Sequence, residues 1–226
     1  SSGLKVYKRK KNGDWTVRMF TRGSHDFGRD ITHLIEPLMG KNFLVPPKKL
    51  VSQIEKISGK EINTIAVRGE IIMKTTIFDI YKETKKDARS LVNGLVCRKN
   101  WNKEDLKVLK DTDFVVFEIV DPRMEKITQF QILDSSGFKV PNYKLYKSIS
   151  NDMLSKILTE RREKSIYGID GIIIEDNNVH EIPKSKTPDY AFAFKMLLSG
   201  NIAEVKVLSI SWNASKHGVL VPTVHY

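Results

Sequence analysis

The order of strand-like and helix-like apolar patterns is the feature that most constrains the fold of this chain. Apolar alternation at 4–6 and at 15–20 flanks a turn signal at 11–14, which predicts a β-hairpin. The stretch 48–58 instead places its apolar residues at helical spacing and is followed by Gly59, as expected for an amphipathic helix with a glycine C-cap. Strands and helices are therefore both expected near the start of the chain.

The remaining segments continue this mixture of patterns. Further strands are predicted at 63–73, 113–120, 171–174, 190–196 and 202–212. Further helices are predicted at 75–83, 88–98, 103–110, 128–135 and 150–164. Because these elements interleave without regular βαβ spacing, we expect an α+β fold with mostly antiparallel sheets flanked by helices. One compact domain is the simplest division, and the tail from residue 211 could connect to something further on.

The chain is strongly basic. Its 226 residues include 38 Lys and Arg against 27 Asp and Glu, which gives a formal net charge of +11 and a sequence pI of about 9.6. Such a charge favours a polyanionic partner, since neutralisation of phosphates with release of counterions drives binding that is independent of sequence. A soluble basic protein with solvated lysines is an equally good interpretation of the charge alone.

Cysteine content and hydropathy limit the class of protein further. Cys97 is the only cysteine, which excludes an intrachain disulfide framework and a cysteine cluster for structural zinc. A reducing, intracellular compartment is therefore expected. With 40% apolar residues the chain can bury a continuous core, but no apolar run approaches the length of a membrane span. These observations together predict a soluble globular protein.

Five short motifs with chemically useful side chains follow one another along the chain. They are Thr21-Arg22-Gly23, Val67-Arg68-Gly69-Glu70, the stretch from Ala88-Arg89-Ser90 to Gly94, Ile169-Asp170-Gly171 and Ala193-Phe194-Lys195. Each motif alone is a weak signal, because an exposed ion pair or a solvated lysine would explain it at least as well. Their order and their separations carry more information than any single motif.

Strand parity predicts where the charged side chains of two motifs point. The apolar core face predicted for the strand 190–196 consists of Tyr190, Phe192, Phe194 and Met196. Lys195 then lies on the opposite face among alanines, where its ammonium group can reach a phosphate. By the same count Arg68 and Glu70 share a face, which brings a guanidinium and a carboxylate together.

Taken together and in this order, the five motifs resemble the adenylation (nucleotidyltransferase) domain of NAD-dependent DNA ligases, which read TRG, RGE, a helix with an early arginine, IDGxVIK and AFKF. The match runs from about Leu4 to the end of the chain. The sequence at 212–222 is more similar to viral or phage-type members than to bacterial ones. The resemblance implies the nucleotidyltransferase (ATP-grasp-like) fold of DNA ligases over residues 1–210. It also implies that 211–226 is a connector toward an OB domain.

The resemblance implies roles for individual residues. Glu70 would accept hydrogen bonds from the adenosine ribose hydroxyls, Asp170 would act near the ribose and bind the metal, and Lys195 would neutralise the α-phosphate. The other residues implied to bind the nucleotide cofactor are Arg22, Arg89, Phe117 and Arg162. Those implied to bind DNA phosphates are Arg22, Arg89 and Arg98. For Phe117, a core position in a strand is at least as good an interpretation.

The activity that the resemblance implies is the sealing of nicks during DNA replication and repair. AMP would pass from NAD to a lysine and then to the 5′-phosphate of nicked double-stranded DNA, with Mg²⁺ as the metal. The protein would be an intracellular monomer in the cytoplasm, at the nucleoid or in a viral factory. The alternatives are an ATP-dependent polynucleotide ligase, which usually reads DGE and a two-lysine KxK, and a non-catalytic nucleotide-binding or nick-binding module.

The sequence departs from the family pattern at two places. The family's nucleophilic lysine lies in KxDG, and no KxDG occurs in these 226 residues; Ser1 would fall a few residues after it. The second departure is Glu175, which stands where IDGxVIK has its lysine. Because a carboxylate repels a phosphate, either a cation such as Lys184 or Lys186 substitutes for that lysine or the site is weakened.

Overall fold

A computed structural model describes residues 1–23, 27–83, 85, 87–98, 100–181, 188–196, 204–215 and 218–226. The strands are β1 (Ser2–Arg9), β2 (Trp15–Thr21), β3 (Thr64–Met73), β4 (Thr112–Asp121), β5 (Gly171–Glu175), β6 (Ala191–Lys195), β7 (Ser209–Ala214) and β8 (Leu220–His225). The α-helices are α1 (Ile35–Met39), α2 (Lys48–Ser58), α3 (Thr75–Phe78), α4 (Ala88–Val96), α5 (Lys103–Lys110), α6 (Lys126–Ser135) and α7 (Asn151–Lys164). This mixture of antiparallel sheets and flanking helices confirms the predicted α+β class.

The chain divides into two compact units, Ser1–Phe194 and Lys195–Tyr226. The first unit contains a four-stranded antiparallel sheet in the order β2-β1-β3-β4. The predicted hairpin of β1 and β2 is confirmed, and its turn contains Gly13 at a φ of 88°, a conformation that glycine adopts without strain. The predicted domain boundary after residue 210 stays a prediction.

Helices cover the four-stranded sheet and close its core. Among them, α4 packs on β3, while α1, α5 and α6 pack on β4. Fully buried residues at this interface include Val67 in β3, Val116 in β4 and Leu133 in α6. Complete burial of one such side chain contributes roughly 1.5–3 kcal/mol to stability. The two longest strands, β3 and β4, therefore form the rigid base on which the candidate site is built.

Local signals set the ends of several helices. The helix α2 ends at Gly59, which adopts the left-handed conformation at a φ of 67°, as the sequence predicted. Asn102 and Asp105 form a reciprocal capping box at the start of α5. The predicted helix 75–83 is wrong in length, because regular α-helix ends at Phe78. Ile80 is 68% exposed there, so apolar packing does not support a longer helix.

The short strands β5 and β6 form a two-stranded sheet of their own. The prediction that one face of β6 is a core face is wrong at Phe192, whose side chain is 53% exposed. The physical reason is that, in the described part of the chain, β6 pairs only with β5, so its faces lie outside the helix-covered sheet. Alternation alone cannot distinguish a buried face from a face of a small exposed sheet.

The second unit contains an antiparallel hairpin of β7 and β8. The predicted strand 202–212 is wrong at its start, because the strand begins only at Ser209, and residues 202–203 lie outside the described residues. The strand β8 was not predicted, since Pro222 lowers the strand signal. Pro222 pairs with Trp212 in this two-stranded ladder, where both strands are edges and a proline is tolerated. Among the described helices, none has the length and apolarity needed to cross a membrane.

Candidate active site

The partly exposed face of β3 carries the two charged residues of the second motif. Arg68, Glu70 and Ile72 are half-buried, and the residues between them, Gly69 and Ile71, are buried. This alternation confirms the prediction that Arg68 and Glu70 share a face. The side chain of Glu70 is 43% exposed and remains accessible as a hydrogen-bond acceptor.

Glu70 also contacts the first residue of the described chain. The backbone nitrogen of Ser1 lies 2.9 Å from the carbonyl oxygen of Ile71 and 2.5 Å from Oε1 of Glu70. The amide nitrogen of Ile71 donates in return to the carbonyl oxygen of Ser1 at 2.7 Å. The ladder between β1 and β3 therefore extends to Ser1 and brings this residue against Glu70.

Glu118 joins two arginines beside Glu70. It lies opposite Arg68 in the ladder of β3 and β4, is only 9% exposed and uses both of its carboxylate oxygens. Arg68 Nη1 donates to Oε2 at 2.8 Å, and Arg123 Nη1 donates to Oε1 at 2.9 Å. Two guanidinium groups satisfy this buried carboxylate, which makes Glu118 the fixed centre of the charged face. Glu118 was not predicted, although it is the one acidic residue in the apolar stretch 114–120 and could have been recognised on that ground.

A bulge in β4 sets the position of Phe117. Gly69 pairs with Val116 and Arg68 pairs with Glu118, so Phe117 is the extra residue between two successive pairs. A bulge bends a strand and redirects its side chains, and bulges are frequent beside active sites. Phe117 is half-buried rather than part of the core, so its ring is partly accessible.

Gly69 is required by the close approach of β4. A Cβ at this position would lie 2.6 Å from the carbonyl oxygen of Val115 and 2.8 Å from the ring of Phe114. Any larger residue would push β3 and β4 apart at the point where Arg68 and Glu70 are held. Close packing of β3 against β4 therefore explains why a glycine lies between Arg68 and Glu70.

The predicted phosphate-binding arginines lie at the ends of several elements. Arg22 directly follows β2 and is exposed. Arg89 is exposed in the first turn of α4, whose N-terminus is capped by Asp87. Arg98 donates to Oδ1 of Asp105 at 2.6 Å, with its side chain 50% exposed. All three therefore lie at exposed positions, and Arg98 is already paired with Asp105.

Asp170 and Arg162 lie together where α7 leads into β5. Arg162 Nη2 donates to the carbonyl oxygen of Asp170 at 2.8 Å. Asp170 itself is exposed immediately before the first residue of β5. The structure thus brings together two residues that the sequence analysis named separately.

The segment before Asp170 is tied to the four-stranded sheet. The hydroxyl of Tyr167 donates to Oδ2 of Asp113 at 2.6 Å, and Lys139 forms an ion pair with Oδ1 of the same carboxylate. Burial raises the pKa of Tyr167 above its ordinary value, with a further rise from the hydrogen bond to Asp113. The tyrosine therefore stays a neutral donor at physiological pH.

Glu175, the residue that departs from the family pattern, forms an ion pair with Lys126. Lys126 Nζ lies 2.9 Å from Oε2 of Glu175, with the two side chains 14% and 23% exposed. Lys126 could not be identified from the sequence, because nothing in the sequence links α6 to the end of β5. The alternatives that it named, Lys184 and Lys186, lie outside the described residues.

Comparison with curated proteins gives a consistent set of relatives. A DNA ligase of Acanthamoeba polyphaga mimivirus is 35% identical over 214 residues, covering 93% of this chain and 30% of the relative. A putative DNA ligase of Invertebrate iridescent virus 6 is 30% identical over 225 residues, covering 95% of this chain and 33% of the relative. This chain is a DNA ligase-type domain. No family model matches it.

The DNA ligase-type domain is related to viral and bacterial proteins alike. A DNA ligase of the bacterium Thermosipho africanus is 26% identical over 238 residues, covering 97% of this chain and 33% of the relative. The domain spans about a third of the length of the curated relatives that it matches. The similarity to viral relatives confirms the predicted resemblance to DNA ligase domains of viral kind.

The roles predicted for Lys195 and Asp170, at the α-phosphate and at the metal, stay predictions. Lys195 is the last residue of β6 and the first residue of the second unit of the DNA ligase-type domain, and it is exposed. Among the described residues, no group of three or more His, Cys, Asp or Glu side chains is arranged to hold a metal ion. A metal at Asp170 would therefore need oxygen ligands from a bound substrate as well.

One lysine of the DNA ligase-type domain is completely buried. Lys5, in the middle of β1, is 0% exposed; its Nζ lies 3.4 Å from Sδ of Met39 and over the rings of Tyr7 and Phe43. Burial lowers the pKa of Lys5 from 10.5 to about 7. The burial of Lys5 was not predicted from the sequence, because an isolated lysine in a strand usually points to solvent.

Proposed function

We propose that this DNA ligase-type domain is the nucleotidyltransferase (adenylation) domain of an NAD-dependent DNA ligase. It would take part in the transfer of AMP from NAD to a lysine and onward to the 5′-phosphate of nicked DNA. The observation that carries the proposal is the shared, partly exposed face of Arg68 and Glu70 on β3, beside the bulge that holds Phe117. The names of the viral and bacterial relatives support the ligase part of the proposal.

The described residues fit an adenosine nucleotide. An ionised Glu70 is a pure acceptor and suits the two hydroxyls of a ribose, and the half-buried ring of Phe117 offers an apolar surface to a base. The exposed guanidinium groups of Arg22 and Arg89 suit phosphate oxygens, because a planar fork can donate two parallel hydrogen bonds. These residues would bind and orient the nucleotide.

Charge neutralisation would supply most of the catalysis. Lys195 would neutralise the α-phosphate, and Asp170, held through its backbone by Arg162, would present one carboxylate to a metal. Mg²⁺, when bound, would neutralise charge on the phosphate oxygens. A single carboxylate fits this ion, since Mg²⁺ is usually bound through one or two carboxylates together with substrate phosphates and water.

Two other functions are alternatives to the NAD-dependent ligase. An ATP-dependent ligase is the first, but the sequence reads RGE and a single Lys195 rather than DGE and KxK. A non-catalytic nucleotide-binding or nick-binding module is the second. The observation that favours it is Glu175, whose carboxylate occupies the place of a family lysine and is neutralised internally by Lys126.

Lys195→Ala in the full-length natural protein tests the site. The rate of AMP-adduct formation should fall on the order of a hundredfold or more, because one preorganised charge at a transferring phosphate is lost. The melting temperature should not move, because Lys195 is exposed. The matched control is Lys206→Ala, a second exposed lysine of the same unit, which should keep the parent rate. A fully active Lys195→Ala protein would refute the site assignment.

A further inference from the structure

The strand β5 carries Asp170 at its entrance but has little apolar anchoring. Within β5 only Ile172 is buried, and Ile173 is 69% exposed. Its ladder partner is the equally short β6, not a strand of the four-stranded sheet. Since one buried side chain holds a strand weakly, other contacts must fix the position of β5 relative to β3 and Glu70.

A first set of polar contacts holds the entrance of β5. Tyr167 donates to Asp113 at 2.6 Å, and Asp113 is a buried residue of β4 with a side chain only 7% exposed. The preceding carbonyl oxygen, that of Ile166, accepts from the backbone nitrogen of Thr75 at 2.9 Å and from its hydroxyl at 3.2 Å. A buried carboxylate is costly without donors, so the bond to Tyr167 is firmly retained.

A second set of polar contacts holds the exit of β5. Lys126 pairs with Glu175 at 2.9 Å, and both side chains are largely buried. Oδ1 of Asn177 accepts from the backbone nitrogen of Ile127 at 2.8 Å. Glu125, the N-cap residue of α6, makes no side-chain capping bond, so the turn after β5 supplies the cap of this helix.

We propose that Tyr167–Asp113 and Lys126–Glu175 are a pair of positioning clamps that fix Asp170 relative to the sheet carrying Glu70. The functional part of this inference rests on the proposed role of Asp170. Glu175 is then a structural partner of Lys126, which accounts for a carboxylate at this position. A displacement of about 1 Å of a reacting group can lower a rate about a hundredfold, so the clamps act on rate without touching the substrate.

Hydrogen exchange tests the clamps independently of any activity. In the full-length protein, Tyr167→Phe and Lys126→Gln should each increase amide exchange at 165–177 while exchange in β1 and β3 stays unchanged. The control is Lys82→Gln, which removes an exposed ion pair to Asp79 and should change neither region. Unchanged exchange at 165–177 in both clamp variants would overturn the inference.

Kinetics of AMP-adduct formation test the effect on Asp170. Lys126→Gln should lower kcat on the order of tenfold to a hundredfold with a smaller change in the nucleotide KM, because orientation and not binding is lost. Lys126→Glu and Glu175→Lys should each lower kcat, since each places like charges about 3 Å apart. The double variant Lys126→Glu with Glu175→Lys restores the ion pair and should recover the rate.

The outcomes separate the clamps from the proposed function. Single variants with the parent kcat, or a double variant no better than the singles, would overturn the positioning role. A parent protein that forms no AMP adduct would instead contradict the proposed function, and hydrogen exchange would still decide whether the clamps hold β5.

Discussion

At the scale of single residues, the most unusual feature is the buried ammonium group of Lys5. Its lowered pKa, about 7 against an ordinary 10.5, means that the unfolded chain binds more protons than the folded chain between these values. Stability should therefore rise as the pH rises from about 7 toward 10, by at most roughly 1.4 kcal/mol for each pH unit. Burial raises the pKa of Tyr7, so its opposing effect begins only above its ordinary value of 10.

Lys5→Met should remove this pH dependence. Because methionine is apolar and of similar length, the free energy of unfolding at pH 7 should increase and should no longer rise between pH 7 and 10. Urea unfolding at several pH values measures both effects. Lys8→Met, an exposed lysine of the same strand, should retain the slope of the parent. If Lys5→Met showed the same dependence of unfolding free energy on pH as the parent, Lys5 would not be the cause of that dependence.

At the scale of elements, the helices and strands whose ends are marked by capping or turn residues were predictable from the sequence. The capped helices α2 and α5 and the hairpin of β1 and β2 carry their signals in adjacent residues, and all were predicted. The strand β8 was missed because Pro222 weakens a pattern that pairing with β7 restores. Pairing and burial depend on distant segments, which local patterns do not reveal.

The same distinction applies to the candidate site. Parity along β3 was enough to place Arg68 and Glu70 on one face. The contacts of Glu118 with Arg68 and of Lys126 with Glu175 could not be predicted, since each depends on the spatial proximity of separate elements. The sequence therefore supplied the named residues of the site, and the fold supplied the contacts that hold them.

At the scale of the whole molecule, the net charge of +11 predicts how the proposed binding to DNA should respond to salt. Affinity for nicked duplex should fall steeply with salt and depend little on base sequence, because phosphate contacts position a protein without specifying a sequence. Arg22→Ala and Arg89→Ala should each reduce the slope of log affinity against log salt by about 0.9. Titration over a salt series measures the slope, with Lys10→Ala in the hairpin turn as control. A parent affinity independent of salt would contradict the prediction.

We propose that the domain belongs to an enzyme that takes AMP from NAD. The most direct measurement exposes the full-length natural protein, with Mg²⁺, to NAD or to ATP labelled in the adenylate group and detects covalent label on the protein. We expect an AMP adduct from NAD, whose AMP is transferred to nicked DNA carrying a 5′-phosphate, and no adduct from ATP. Equal labelling from ATP would contradict the choice of cofactor. No label from either nucleotide would contradict the enzyme and favour a module that only binds nicks.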